Sequence, residues 1–354
     1  VEPDTIWVEP EAVVEVRYKE WPPGHRFREP TFIRVRDDKD VTECAAPAGA
    51  LSVAAPAPPA PVAPALKNAN KVFFPGDGIT KGDLVAYYDA VAPWLLPYLR
   101  DRPLMLTRYP DGIDGKSFFQ KGKPAKAPDF IRTIFVHNEE EGRDIDQIIC
   151  DDARTLHWCA TMAAIPLHLP AGRVSSLGLA DWCVVDFDPK GAPFEHVIEL
   201  ALGVKSLCDA LQLPAFVKTS GSSGLHVLIP LGRKVDHEGA KQLAEVLAAL
   251  LVARFPRIAT TERTMSKRQG RVYVDAFQNG TGKLIASPFC VRAKPGAPVS
   301  MPLRWPEVRA GLTPTMFTIR DAIARLEREG DPMAEVLTLA PDIAAAVARV
   351  ASLT

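Results

Sequence analysis

The stretch VVDFDPK, residues 184–190, ends an apolar run with two aspartates one residue apart. On an extended strand residues i and i+2 share a face. Asp186 and Asp188 would then stand side by side, with Phe187 turned to the opposite face and into a core. Two close carboxylates repel at neutral pH unless a cation lies between them. Hard divalent ions such as Mg²⁺ and Mn²⁺ take oxygen ligands of this kind. Taken alone, the pair reads equally well as the solvated end of a strand.

Three further features bear on that choice. In GRVYVDAFQNGTGK, Asp275 interrupts a strongly apolar, strand-like run. A buried acid needs a partner, and either a metal shared with Asp186 and Asp188 or a nearby arginine would supply one. In SGSSGLHVLIP, Ser220–Pro230, a Ser/Gly turn enters a strand that starts near His226. Such turns let backbone N–H groups approach a phosphate, and are also common as plain surface turns. Residues 254–294 hold nine Lys/Arg against two acids, and residues 100–132 hold eight against four, with Phe118 and Phe119 among them. Basic tracts with aromatics suit phosphate backbones and stacked bases, although any one tract also reads as a solvated face. Together the features describe phosphoryl or nucleotidyl transfer, in which two metal ions activate a hydroxyl and stabilise a leaving pyrophosphate.

The 354 residues allow about two domains, and an apolar content of 47% supports a core. A net charge of −1 points to no polyanionic partner for the whole molecule. Six cysteines without a CxxC pair fit a reducing compartment better than a disulfide framework. The uncharged run 45–65 carries six prolines, so it holds no membrane helix and reads as an extended Pro/Ala linker. Residues 1–43 are strand-like but too few for a core of their own. The chain opens at Val1 in such sequence and is read as a piece of a longer polypeptide. From about Lys67 a mixed α/β pattern begins. Thr80 and Asp83 form a capping box before a helix, apolar periodicity marks helices over FEHVIELALGVKSLCDAL and GAKQLAEVLAALLVARF, and strands fall at DWCVVDFDP, AFVKTS, LHVLIPL and RVYVDAF.

VVDFDP, TSGSSGLHV, VYVDAFQN and PFCVRAKPGAPV, in that order, resemble the polymerase domain of bacterial ligase D, a member of the archaeo-eukaryotic primase superfamily. The likeness extends through NKVFFPGDGITKGDLVAYY, RPLMLTRYPDGIDGKSFFQK and IPLHLP. It implies an α/β (α+β) primase-type core over residues 67–335 with the acids on an RRM-like catalytic sheet, followed by a C-terminal tail at 336–354. It implies Asp186, Asp188 and Asp275 as catalytic metal ligands for two Mn²⁺ or Mg²⁺ ions. Ser220, Ser222, His226, Gln278 and Arg292 match triphosphate contacts, and Arg108 and His168 match other nucleotide-pocket positions. Phe118 or Phe119 would stack on the incoming base, and Lys71 and Lys81 match lysines that grip the 5′-phosphate of a downstream strand. Many relatives carry lysine at Ser223 and arginine at Lys294; the second change keeps the charge and loses the bidentate fork.

WVEPEAVVEVRYKEW and FREPTFIRVRDDKD resemble the end of the oligonucleotide-binding domain of an ATP-dependent DNA ligase, with Arg36, Asp38 and Lys39 on its terminal motif. Residues 1–43 would be a β remnant of that OB-fold and 44–66 the linker. No K-x-D-G adenylation motif occurs, so ligation would belong to a module of the parent chain. The resemblance implies a nucleotidyltransferase that adds NTPs or dNTPs, with a preference for ribonucleotides, to a primer 3′-hydroxyl. Its partners would be gapped DNA, 5′-phosphorylated breaks, 3′ overhangs and Ku, in a bacterial cytoplasm near the nucleoid. Rival readings are a D-x-D phosphatase, a metal-dependent glycosyltransferase and a non-catalytic DNA-end binding module. The phosphatase pattern expects Thr or Val at Lys190 and an earlier motif, and an intact set of acids speaks against the binding module.

Overall fold

The computed structural model describes residues 13–17, 31–36, 66–138 and 142–351. Two units separate at residues 62 and 63. In the first, β1 (Val14–Arg17) and β2 (Thr31–Val35) form an antiparallel hairpin with Val14 opposite Val35. Asp38, Lys39 and the linker up to residue 65 lie outside the described residues.

The second unit opens with the hairpin β3 (Val72–Phe74) and β4 (Ile79–Thr80), which leads into α1 (Lys81–Leu99). The capping box forms as the sequence requires: Thr80 Oγ1 accepts from Asp83 N at 3.2 Å, and Asp83 Oδ2 accepts from Thr80 N at 2.8 Å. Leu84, Tyr88, Val91, Leu95 and Leu99 recur at helical spacing and are buried. Next come β5 (Met105–Arg108), β6 (Phe118–Gln120), the hairpin β7 (Thr133–Asn138) and β8 (Arg143–Ile148), α2 (Ala153–Thr161) and β9 (Ala164–Leu169). The remainder is β10 (Leu179–Asp188), α3 (Phe194–Ala210), β11 (Phe216–Thr219), β12 (Leu225–Asp236), α4 (His237–Arg254), β13 (Ala259–Thr260), β14 (Val272–Asp275), β15 (Ile285–Ala286), β16 (Pro302–Leu303), α5 (Ala322–Glu329) and α6 (Ile343–Val350).

The run from Asp181 to Phe187 is the centre of a six-stranded sheet ordered β13-β14-β10-β12-β11-β16. Its inner part follows the split β-α-β-β-α-β path: β10, α3, β11, β12, α4 and β14 in sequence, with β14-β10-β12-β11 adjacent in space. This is the RRM-like arrangement expected from the sequence. Helices α3 and α4 pack on one face and on each other. Phe187, only 1% exposed, lies in the core, which stabilises the fold by about 2 kcal/mol. A second, antiparallel sheet runs β15-β9-β5-β6.

The segment after residue 335 packs on the domain. Val336 and Ala346 join the buried core, and the α6 N-cap Asp342 accepts from Ala345 N at 2.9 Å. Alanine-rich helices pack closely at small loss of side-chain entropy, so the sequence pattern did not distinguish this helix from a free tail.

Candidate functional site

Strand register places the acids. Asp186 on β10 is directly opposite Asp275 on β14 and, on its other side, directly opposite His226 on β12. His226 in turn faces Lys218 on β11. Four adjacent strands thus set Asp275, Asp186, His226 and Lys218 in one line across the sheet, each about 5 Å from the next at Cβ. Asp188 is two residues beyond Asp186, opposite Tyr273, on the same face.

The three carboxylates have different surroundings. Among the described residues the Asp186 carboxylate meets His226 Nε2, 3.4 Å from its Oδ1, and 23% of its side chain reaches solvent. Poor solvation and then the facing Asp275 carboxylate push its pKa up to about 7. Asp188 Oδ2 accepts from Arg268 Nη1 at 3.0 Å. Arg268 is nearly buried, donates also to the carbonyls of Glu262 and Arg263, and lies over the Tyr273 ring at 4.3 Å. Asp275 accepts from Phe277 N at 2.7 Å, Gln278 Nε2 at 3.2 Å and the Tyr273 hydroxyl at 3.3 Å. Among the described residues no three His, Cys, Asp or Glu side chains close around one point. The acids share a face, while Asp188 and Asp275 turn toward protein donors.

Where β14 ends, Asn279 continues its pairing. Its side chain accepts from Val184 N at 2.7 Å and donates to Val184 O at 2.8 Å, satisfying both backbone groups two residues before Asp186. No local sequence pattern singles out this asparagine.

The Ser/Gly turn is built around one hydroxyl. Ser220 Oγ accepts from the amides of Ser222, Ser223 and Gly224 at 3.1, 3.1 and 3.0 Å. Three N–H groups therefore converge on one point, as in an anion-binding nest. Ser220 thus organises the turn as well as lining the site. Gly221 has φ +65°, the left-handed region that favours glycine. A Cβ on Gly224 would collide with the Phe187 carbonyl of β10, so glycine lets this turn lie against the strand that carries both acids. Arg292 Nη1 donates to Ser220 O at 2.5 Å and ties the turn to the segment after β15.

A cleft between the two sheets is lined by His168, Asp186, Asp188, Ser220, Ser222, His226, Gln278 and Arg292. Eight residues singled out in the sequence therefore meet at one place. His168 sits on β9 opposite Met105 and Ala286. Burial and then Arg292 hold its imidazole down to about 4, and burial and then Lys218 hold His226 well below the usual range. Both rings are neutral at pH 7, and the Nδ1 of each is buried without a partner.

Asp275, turned toward Phe277 N and Gln278, does not line that cleft, and neither do Arg108, Phe118, Phe119, Lys71 and Lys81. Arg108 donates to Met162 O at 2.7 Å and Gln120 Oε1 at 2.8 Å, and its guanidinium sits 5.1 Å from the centre of the Phe118 ring. Phe119 is 68% exposed and lines a second depression with Lys123 and Phe135 of β7. Lys71 and Lys81 are brought together on the β3–β4 hairpin, where Lys81 N donates to Lys71 O at 2.8 Å. Lys71 Nζ pairs with Asp111 at 2.5 Å. Burial, then Lys71 and Arg108, lower the Lys81 pKa, so the three cations form one positive patch.

Sequence reasoning also missed Lys218 and the pairing of Arg268 with Asp188. Lys218 was legible in one respect: a lysine inside an apolar strand, two residues before Ser220, shares the face of the turn.

Residues 80–333 match the family model described as LigD, primase-polymerase domain, and residues 1–39 match that of the ATP dependent DNA ligase C terminal region. The bifunctional non-homologous end joining protein LigD of Bacillus subtilis is 32% identical over 329 residues, which covers 92% of this chain and 52% of that protein. The multifunctional non-homologous end joining DNA repair protein LigD of Mycobacterium tuberculosis H37Rv is 33% identical over 275 residues, 75% of this chain and 36% of that protein. The chain thus spans about half, or less, of the length of these curated relatives. Among solved structures, the polymerase domain from Mycobacterium tuberculosis ligase D in complex with DNA superposes with a TM-score of 0.73 at 32% identity, covering 78% of this chain and 99% of that one.

Proposed function

This chain belongs to the LigD primase-polymerase family, and we propose that it is a nucleotidyltransferase that extends a primer 3′-hydroxyl at gaps and broken DNA ends. The observation that carries the reading is the register of Asp186, opposite Asp275 on one side and His226 on the other, beside a turn with three convergent amides.

The donor set fits divalent ions. Three carboxylates share one face, and burial and then the facing Asp275 raise the proton affinity of Asp186, a tension that a cation relieves. Asp186, Asp188 and Asp275 would hold two Mn²⁺ or Mg²⁺ ions after Asp188 leaves Arg268 and Asp275 turns from Gln278. Bound ions would lower the pKa of the attacking 3′-hydroxyl and stabilise the leaving pyrophosphate. The chain's own residues do the rest. The Ser220–Gly224 turn and Arg292 cradle the triphosphate, the turn being held in shape by the Ser220 hydroxyl before the substrate arrives. His168 and His226, both neutral, would meet phosphate or ribose oxygens without a charge to desolvate, each through the one ring N–H that a neutral imidazole carries. Phe119, projecting from β6, stacks on a base. Lys71 and Lys81 bind a downstream 5′-phosphate after Asp111 yields Lys71.

The finer reading is a preference for ribonucleotides and Mn²⁺, work beside a ligase module and Ku in non-homologous end joining, and a place in the bacterial cytoplasm near the nucleoid. Among the described residues no helix is long and apolar enough to cross a membrane.

Primer extension on a gapped duplex tests this proposal. With Mn²⁺ and nucleoside triphosphates the wild type should extend, faster with NTPs than dNTPs. Asp186→Ala and Asp275→Ala should lose extension by about 10³-fold or more while binding DNA as before. Extension surviving in either variant would sink the assignment.

A further inference from the structure

Lys218 is fully buried, an unusual place for an ammonium. Its Nζ donates to Ser300 Oγ at 2.6 Å, and that hydroxyl donates to Thr219 O at 2.9 Å. An ammonium carries three donors, and Ser300 takes one. A methionine would fill the same strand position without the cost of burying a charge.

The surroundings add to that cost. Lys218 and Arg292 lie close enough for each to act electrostatically on the same two imidazoles, His168 and His226, which both stay neutral. The acid in reach is Asp186, beyond His226 in the row. Burial brings the ammonium down to about 7. Lys218 and Arg292 therefore flank the same pair of rings, and an anion placed above them would offset their charge. Ser220 marks the place. It begins the turn directly after β11, two residues from Lys218, its hydroxyl gathers three amides, and its carbonyl holds Arg292. Ser300 locks this geometry from behind, because Thr219 pairs with Met301 at 2.9 Å in both directions.

We propose that Lys218 is a positioning residue for the nucleotide's phosphate chain: anchored by Ser300, its buried ammonium fixes the base of the Ser220 turn and supplies positive potential beneath the triphosphate without touching it. The inference rests on the nucleotidyl-transfer reading above. It separates a role in charge from a role in packing, because the effect must grow with the number of phosphates.

The test compares wild type with Lys218→Met and Ser300→Ala, with thermal melting as a control. Dissociation constants are measured with Mn²⁺ for ATP, ADP and AMP, and KM and kcat are measured for ATP in primer extension. K218M should weaken ATP by about tenfold, ADP less and AMP hardly at all, as one partly shielded charge predicts. KM should rise by a similar factor, kcat should change by less than about threefold, and affinity for the gapped duplex should hold. S300A keeps the charge and loses its anchor, so ATP should weaken by about threefold in the same order of ligands. Equal losses for ATP and AMP would mean packing alone and would overturn the proposal, as would an unchanged ATP affinity. If K218M fails to melt cooperatively, S300A decides by the same criterion. A wild type that neither binds ATP nor extends a primer would remove the underlying reading, a result distinct from both of these.

Discussion

The two sheets of the larger unit place functional groups in opposite ways. On the six-stranded sheet, Asp275, Asp186, His226 and Lys218 are fixed by backbone register, and His226 and Lys218 are buried. On the four-stranded sheet, Phe118 and Phe119 project from the edge strand β6, 46% and 68% exposed. Groups that do chemistry need defined positions and poor solvation, which strengthens electrostatics. Groups that meet bases need open faces. Substitutions of Asp186 and Asp275 on the first sheet should therefore lower kcat, that of Lys218 beside them should raise KM, and those on the second sheet should change substrate affinity and choice.

The largest effect that would break this division lies at Gly224. Gly224→Ala places a methyl against the Phe187 carbonyl, so β10 and the turn must separate. Extension should fall by about 100-fold or more, and stability by about 3 kcal/mol in chemical denaturation. Wild-type kinetics in this variant would show that the turn does not depend on its contact with the acid-bearing strand. Next comes the patch on the β3–β4 hairpin. Replacing Lys71 and Lys81 together with Ala should cut the preference for gaps bearing a 5′-phosphate by about tenfold, with extension at unphosphorylated gaps unchanged. Equal preference in variant and wild type would refute that role. Phe119→Ala should weaken primer–template or nucleotide binding by about fivefold with little change in kcat, as loss of one stacked base predicts. A fall in kcat alone would assign Phe119 to the first group.

The smallest effect concerns pH. Burial and then Asp275 raise the folded-state pKa of Asp186 from the usual carboxylate range to about 7. Protonation therefore favours the folded form, and this contribution is full below about pH 4 and lost as pH rises through 7. In EDTA, the melting temperature of wild type relative to Asp186→Asn should fall between pH 4 and 7.5. A constant difference across that range would contradict the raised proton affinity that burial and then Asp275 give Asp186.

Much of the site was legible because its residues carry local signatures. An acid pair ends an apolar run, a third acid interrupts another, and a Ser/Gly turn precedes a histidine. The capping box at Thr80 was equally local and formed as read. What the sequence could not supply was pairing between strands. That Asp186 faces Asp275 rather than a neighbour one residue along depends on register over 89 positions of chain. Asn279, which secures that register, and Arg268, which holds Asp188, act across the fold and leave no local pattern. Lys218 looked like an ordinary strand lysine because burial is a tertiary property. The Asp38 and Lys39 reading at the ligase-like end lies outside the described residues.

The central claim is that Asp186, Asp188 and Asp275, set on one face by two adjacent strands, form a single metal centre for nucleotidyl transfer. Anomalous diffraction from crystals grown with Mn²⁺ and a non-hydrolysable nucleoside triphosphate tests it most directly. The account predicts manganese peaks within about 2.2 Å of oxygens from these carboxylates, with Asp188 released from Arg268 and the triphosphate on the Ser220 turn. Manganese bound elsewhere, or a triphosphate seated away from that turn with the Asp188–Arg268 pair intact, would contradict it.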